Sequence, residues 1–459
     1  MYRINFKTPI HVHFIGIGGI SMSGLAEILL SRGFTVSGSD NQRSALTDHL
    51  ERLGAKVFYG QRAENIQDGT DLMVYTAAIH PDNPEYREAV NRGIPILSRA
   101  ELLGQLMLNY EIPIAVSGTH GKTTTTSMIS EILLHADTDP TLSIGGILKT
   151  IGGNLKIGHS KYFVTEACEY TNSYLNFFPK ISIILNIEED HLDFFKDIHD
   201  IRNSFRRFAE LLPKDGTLII NGDIDRLSEI IHDLPCNIIT FGSTDACGYY
   251  PTDIKFNENG YASYLMHRPD GTSEPITLSV TGIHNVYNSL SAIALAELLG
   301  LDISIIKEGL NAFTGTDRRF ELKGQIGGIT IIDDYAHHPT EIKATLEAAK
   351  CRPHNRLICV FQPHTYTRTK AFLDDFAEAL SLADLVILTD IYAAREKNTI
   401  GISSKDLKSK LDHLGVKCYY FSLFDEIENF ILENCINGDL LITMGAGDVV
   451  KIGESILGK

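Results

Sequence analysis

Cysteine is scarce in this 459-residue chain and never occurs in a close pair. The seven residues are Cys168, Cys236, Cys247, Cys351, Cys359, Cys418 and Cys435. Their odd number, wide spacing and lack of any C-x-x-C argue against a disulfide framework and a zinc ribbon, and fit reduced thiols of the cytosol. Long apolar runs are missing: none approaches the roughly 18–20 residues that cross a bilayer. The opening stretch MYRINFKTPIHVHF lacks the basic-then-apolar order of a signal peptide. A soluble, cytoplasmic protein without membrane attachment is therefore expected. Positive charge is in deficit as well, the net charge being −17. That argues against nucleic acid as a main partner, because phosphate backbones are held by clustered Lys and Arg. Small phosphorylated ligands stay open, since backbone N–H groups and a few local cations suffice for them.

What is present is a repeating α/β pattern. At roughly 100–200 residues per domain, the length suits about three domains, and a content of 43% hydrophobic and 22% charged residues is that of an ordinary globular protein. HVHFIGI reads as a strand, followed by a helix with Met22, Leu25, Ala26 and Leu29 at helical spacing and Gly33 at its end. TVSGSD, KVFYG and DLMVYTAAI read as further strands and HLERLGA as a helix. Repeated βαβ units imply a parallel sheet covered by helices. A second unit opens at IPIAVSG and continues through the buried-strand runs YFVTEAC, ISIILNIEED and TLIING. Residues 245–280 carry the turns and polar alternation of antiparallel strands, and a long helix from His284 to Leu299 closes the unit. GTDRRFELKG is polar and glycine-bounded, and marks a junction. Beyond it ITIIDDYA, RLICVFQ, DLVILTD, KCYYFS and DLLITMGAG give a doubly wound look again. The expected architecture is α/β in three domains: a Rossmann-like unit over residues 1–108, a central unit with a parallel sheet over 109–315, and a second Rossmann-like unit over 316–459.

Two stretches look like phosphate cradles. In SGTHGKTTTT, which follows a strand and opens a helix, Gly118 and Gly121 let the backbone approach an anion, and the helix N-terminus favours negative charge. Lys122 can reach the outer phosphates and the Thr123 hydroxyl can ligate Mg²⁺. The loop is shorter than the ordinary pattern, which wants a glycine at Val116. The other cradle is GIGGIS, with Gly16, Gly18, Gly19, Ile20 and Ser21 at a strand-to-helix turn and Asp40 downstream. It nearly fits the dinucleotide fingerprint, but Ser21 holds the third glycine position and no hydride-transfer constellation accompanies it. A nicotinamide dehydrogenase is the rival reading that this stretch raises.

GTHGKTT resembles the ATP loop of the Mur ligase superfamily, ATP-dependent amide-forming enzymes. HNVYNSLSAIA, FTGTDRRFE, DDYAHHPTE, FQPHTYTRT and GIGGISMSGLAE are similar to motifs of that family in the family's order, across essentially all 459 residues. The resemblance is to the branch that joins L-alanine to UDP-N-acetylmuramate, with ATP and Mg²⁺ as cofactors, through an acyl phosphate; tripeptide-recycling relatives are the alternative. A monomer or weak homodimer is expected. The resemblance implies that Gly16, Gly18, Gly19, Ile20 and Ser21 with Asp40 bind the UDP-sugar. It implies that Gly118, Thr119, His120, Gly121, Lys122, Thr123 and Thr124 bind ATP together with His284, Asn285, Asn288, Arg319 and Asp334. Glu166 and His191 follow apolar strands, where α/β sheets place ligands; the resemblance assigns them to a second magnesium, so that Thr123, Glu166 and His191 form the metal set. Lys122, Glu166, His191 and Arg319 are the expected catalytic residues. Asp333, Asp334, His337 and His338 could pass for a metal box, but the resemblance puts Asp334 and His338 around nucleotide and amino acid. Arg368 is the expected clamp for the amino-acid carboxylate, with His338 and His364 beside it. Cys168 and Tyr170 replace an aspartate-rich strip of many relatives, and Thr365 stands where many have a second arginine.

Overall fold

The computed structural model describes residues 3–76, 78–394 and 396–459. Three parallel-based sheets follow one another along the chain, each organised by buried β-branched runs. The first has five parallel strands, in spatial order Lys56–Tyr59, Thr35–Asp40, His11–Ile15, Leu72–Tyr75, Ile96–Ser98. The order reverses beside His11–Ile15, and ligands of doubly wound sheets bind at such a switch point, outside the carboxyl ends of the strands. The strand expected over DLMVYTAAI ends at Tyr75, and Ala77 lies outside the described residues.

The central sheet has seven strands, ordered Asn237–Phe241, Thr217–Asn221, Ile181–Ile184, Ile112–Ser117, Tyr162–Glu166, Thr141–Leu148, Gly153–Lys156. All neighbouring pairs are parallel except the last. Sequence patterning did not single out Thr141–Leu148 or Gly153–Lys156. The expected antiparallel strands are present as a separate three-stranded sheet, Tyr250–Phe256, Tyr261–His267 and Ser273–Thr281. The long helix runs Ile283–Leu298, with Val286 and Leu290 fully buried. The third sheet is ordered Glu321–Ile326, Ile329–Asp334, Leu440–Met444, Leu357–Phe361, Leu385–Leu388, Cys418–Tyr420, with only the first strand antiparallel. The last four residues of the polar stretch GTDRRFELKG are thus not linker but part of an edge strand, beginning at Glu321.

The seams between the three units differ in kind. One apolar cluster runs without a break from Phe14, Leu25 and Leu50 through Leu102 and Leu106 to Phe163, Tyr174 and Phe205. The helix Arg99–Met107 lies in this cluster and sits so close to the segment Tyr170–Asn176 that a Cβ on Gly104 would fall 1.9 Å from the carbonyl oxygen of Asn176. The two apolar clusters of the third unit contain no residue before Phe320. Its bonds to the central unit include several polar ones, which converge on the site described next. No described helix is long and apolar enough to cross a membrane.

Candidate active site between the central and C-terminal units

The phosphate loop joins the strand Ile112–Ser117 to the helix Lys122–His135. Gly118 has φ +143° and Gly121 has φ +83°; a Cβ on Gly121 would meet Asn288 Oδ1 at 2.9 Å. Glycine is required here by conformation and by space. No side chain caps this helix, so its first N–H groups remain available to an anion. Asn186 braces the loop from the neighbouring strand's exit: its Oδ1 accepts from His120 N at 2.8 Å and its Nδ2 donates to His120 O at 3.1 Å. Glu188 N donates to Thr119 Oγ1 at 2.9 Å.

Lys122 is folded back. Its Nζ donates to Thr119 O at 3.0 Å and pairs with Glu169 Oε2 at 3.0 Å. Burial works against the ammonium, but the carboxylate of Glu169 outweighs it and the Lys122 pKa is raised. Thr123 Oγ1 donates to Glu166 Oε2 at 3.1 Å, and Gly145 N donates to Glu166 Oε1 at 2.6 Å. Burial raises the Glu166 pKa against those bonds. His191 lines the same cavity of about 400 Å³ as Lys122, Thr123 and Glu166. Its Nε2 faces Glu169 Oε1 at 3.7 Å, its ring lies 4.5 Å from that of Tyr170, and its φ is +53°. Cys168 shares this cavity, and burial together with Glu169 pushes its thiol up to about 11.

Across the seam, Arg319 lines this cavity and an adjoining one of about 350 Å³ that also holds Gly121, Thr124, His284, Asn285, Asn288 and Asp334. Arg318 also lines the first cavity, but its guanidinium is engaged: it pairs with Asp333 at 3.0 Å and donates to the carbonyls of Gly445 and Gly447. Asp333 also accepts from Thr443, so the apparent metal box has its first carboxylate tied up structurally. Asp334 accepts from Phe320 N and Ala336 N, and burial, opposed by Arg319, lifts it to about 6. Arg368 Nη2 donates to Asp190 Oδ1 at 2.9 Å and Nη1 lies 3.1 Å from His364 Nδ1. His338 Nε2 bonds to the carbonyl of Glu189 at 3.0 Å. His120 Nδ1 bonds to Glu341 Oε1 at 3.1 Å and its Nε2 faces Glu188 Oε2 at 3.5 Å. Burial disfavours the imidazolium, yet the two carboxylates raise His120 to about 9. Burial likewise opposes ionisation of Glu341, which is nonetheless held well below the carboxylate range by its imidazole neighbours. Burial takes His337 down to about 4, so His120 and Arg319 supply that charge.

The N-terminal cradle lies apart from these cavities. Gly16 N and Ile17 N both donate to Ser39 O, and Gly18 N donates to Asp40 Oδ2 at 2.8 Å. Asp40 Oδ1 accepts from Asn41 N at 2.8 Å, so this carboxylate shapes the loop. Gly19 precedes the helix Ile20–Ser31, which has no side-chain cap, and Ile20 is exposed. Ser21 Oγ accepts from Arg99 Nη1 at 3.0 Å. Arg99 is a cation that sequence reasoning missed, as it missed Glu169, Asn186, Glu188, Asp190 and Glu341. Three of these lie in the polar stretch NIEED just past an apolar strand, which was the available signal.

A glycine cradle at the carboxyl end of one parallel sheet, a Gly-Lys-Thr loop on a second, and arginines brought to that loop by a third define a multidomain nucleotide-binding α/β protein. Family models agree: "Mur ligase family, catalytic domain" matches residues 11–111, "Mur ligase middle domain" 116–296, and "Mur ligase, glutamate ligase domain" 318–447. The chain belongs to the Mur ligase family. It is 62% identical, over 459 residues and the full length of both chains, to a UDP-N-acetylmuramate–L-alanine ligase of Agathobacter rectalis. It is 53% identical to one of Acetivibrio thermocellus, covering 97% of this chain and 95% of that one. The crystal structure of the UDP-N-acetylmuramate-alanine ligase of Thermotoga maritima superposes with a TM-score of 0.80 at 30% identity, covering 98% of each chain. A murein peptide ligase of Psychrobacter arcticus gives 0.71 at 26% identity over 98% of each.

Proposed function

We propose that the protein is an ATP-dependent ligase that joins L-alanine to the carboxylate of UDP-N-acetylmuramate, a step of peptidoglycan precursor synthesis. The observation that carries this is the meeting, at one cavity, of Lys122, Thr123 and Glu166 from the central unit with Arg319 from the third, while Asp190 on the same cavity holds Arg368 of the third unit. Full-length identity to alanine ligases favours this over the tripeptide-recycling reading. The domain limits we use are residues 1–108, 109–315 and 316–459.

A carboxylate resists attack by an amine because its leaving group would be an oxide. In the proposed reaction a carboxylate oxygen attacks the γ-phosphorus and the bond to ADP breaks. The amine nitrogen then attacks the acyl phosphate carbon and phosphate leaves. Lys122 exchanges Glu169 for the β/γ-phosphates, and Arg319 offsets charge on the transferring group. Arg368 exchanges Asp190 for the alanine carboxylate, with His338 and His364 beside it. The uncapped helix at Ile20 and the Arg99 guanidinium receive the UDP diphosphate. Asn285, Asn288 and His284 face the adenosine. The hydroxyl of Thr123 and the carboxylate of Glu166 are hard oxygens 3.1 Å apart, a donor set that fits Mg²⁺, with His191 on the same cavity. Mg²⁺ held there would neutralise charge between phosphates and carboxylate. The test is phosphate release with ATP, Mg²⁺, UDP-N-acetylmuramate and single amino acids. Release with L-alanine above glycine and L-serine is expected; release independent of any amino acid would refute the proposal, and release only with tripeptide would select the recycling reading.

A further inference from the structure

Among the described residues, His120, Glu188 and His338 form a group whose donor atoms all lie within 4.8 Å of one another. The reaction proposed above gives this group, as a group, no task. His120 comes from the phosphate loop, Glu188 from the exit of the strand Ile181–Ile184, and His338 from the N-cap of the helix Pro339–Lys350. Three features point to a cation. His120 Nε2 is buried without a hydrogen-bond partner and faces Glu188 Oε2 at 3.5 Å. The other ring nitrogen, Nδ1, is held at 3.1 Å by Glu341. That is the carboxylate–histidine support that orients metal-binding imidazoles and aims Nε2 at a cation, which would take the place of the Nε2 proton. Finally, the ring of His338 lies 4.7 Å from that of His120, and its polar bonds are single contacts to the Glu189 carbonyl and the Thr340 N–H, both exchangeable by a rotation of the ring.

We propose that His120, Glu188 and His338 form a Zn²⁺ site that bridges the central and C-terminal units, distinct from the magnesium set at Thr123 and Glu166. Two imidazoles and one carboxylate are a donor set that zinc takes, with a fourth position left for water. Bonds of about 2.0–2.2 Å want donors about 3.3–3.5 Å apart in a tetrahedral site. The group would therefore contract by up to about 1.5 Å at its widest, through rotation of the Glu188 and His338 side chains. The ion would pin the phosphate loop to the helix Pro339–Lys350.

The test uses full-length protein stripped by chelator, without nucleotide, titrated with ZnCl₂ against a chromophoric competitor. One equivalent should bind, at least tenfold more tightly than in Glu188→Gln and His338→Asn, whereas Glu166→Gln and His191→Asn should bind as the parent does. Co²⁺ in place of Zn²⁺ should give the visible absorption of a four-coordinate nitrogen–oxygen site, lost in the same two variants. Uptake that survives Glu188→Gln and His338→Asn, or that vanishes with His191→Asn, overturns the proposal, as does no stoichiometric uptake. Metal-free melting curves check folding. If His338→Asn melts early, the partly exposed Glu188 carries the decision through Glu188→Gln alone.

Discussion

Two carboxylates sit where substrate groups are proposed to bind. Glu169 holds the Lys122 ammonium and Asp190 holds the Arg368 guanidinium, each at 2.9–3.0 Å. The cations are thus positioned before any ligand arrives, and ligand binding is an exchange of anions rather than the desolvation of a bare charge. Lys122→Ala should fold and lose turnover by at least about a hundredfold, the scale for one preorganised charge-stabilising group; steady-state phosphate release measures it, and near-normal turnover would remove Lys122 from the mechanism. Cys168 yields a prediction of a different kind. Its thiol is raised to about 11 by burial and by Glu169, so it is protonated near pH 8 and weakly nucleophilic. Iodoacetamide at that pH should alkylate the exposed Cys351 well before Cys168, as read by peptide mass spectrometry; faster labelling of Cys168 would mean the pocket is open and the thiol acidic. Lys122 and Thr123 were legible in the sequence because the loop's chemistry is local, a fixed spacing after a strand. Glu169 and Asp190 were not, because which buried cation a carboxylate meets is decided by tertiary packing between segments 47 and 178 residues apart.

At the scale of elements, legibility follows the same division. Buried parallel strands such as Ile181–Ile184 and Leu440–Met444 announce themselves as apolar runs. Thr141–Leu148 contains Gly145 and Gly146, and Gly153–Lys156 is half-buried throughout with Leu155 its one large apolar residue, so neither carries the apolar run of a buried strand. Gly145 is glycine for a reason that lies outside its strand: a Cβ there would fall 2.5 Å from Glu166 Oε2. Gly104 makes the same point for a helix. With 1.9 Å between its ideal Cβ and the Asn176 carbonyl oxygen, backbone faces backbone and no side chain can yield. Gly104→Ala should lower stability by about 1–3 kcal/mol or more through overpacking, despite alanine's better helix propensity. A lower thermal midpoint in the metal-free and ligand-free protein is the expected reading, and an unchanged or raised midpoint would show that the helix Arg99–Met107 is free to shift.

Across the whole molecule, the first two units share an apolar cluster, whereas the third brings its own cores and meets the central unit through imidazoles, carboxylates and a guanidinium. A seam built on charge responds to pH. His120 is raised from 6.5 to about 9 because Glu188 and Glu341 outweigh its burial. Its charged form is favoured in the fold, so the contribution is fully present below about pH 6.5 and is lost as pH rises through about 9. That shift corresponds to about 3 kcal/mol. In chelator-containing buffer, the melting-point gap between the parent and His120→Gln should be wide near pH 7 and close towards pH 10; a gap independent of pH would leave His120 with packing alone. The N-terminal cradle, by contrast, is a question of which ligand fits. A dinucleotide site needs the downstream acid free for a ribose hydroxyl. Here both oxygens of Asp40 accept from the backbone, at Gly18 and Asn41, and the third glycine position holds Ser21 with Arg99 bonded to it. An uncapped helix with an added guanidinium suits a diphosphate without requiring that acid. UDP-N-acetylmuramate at a hundred times its dissociation constant should therefore stabilise the protein by about 2.7 kcal/mol, seen as a raised melting point. NAD at the same concentration should leave the melting point unmoved, and the opposite pattern would return the cradle to a dehydrogenase.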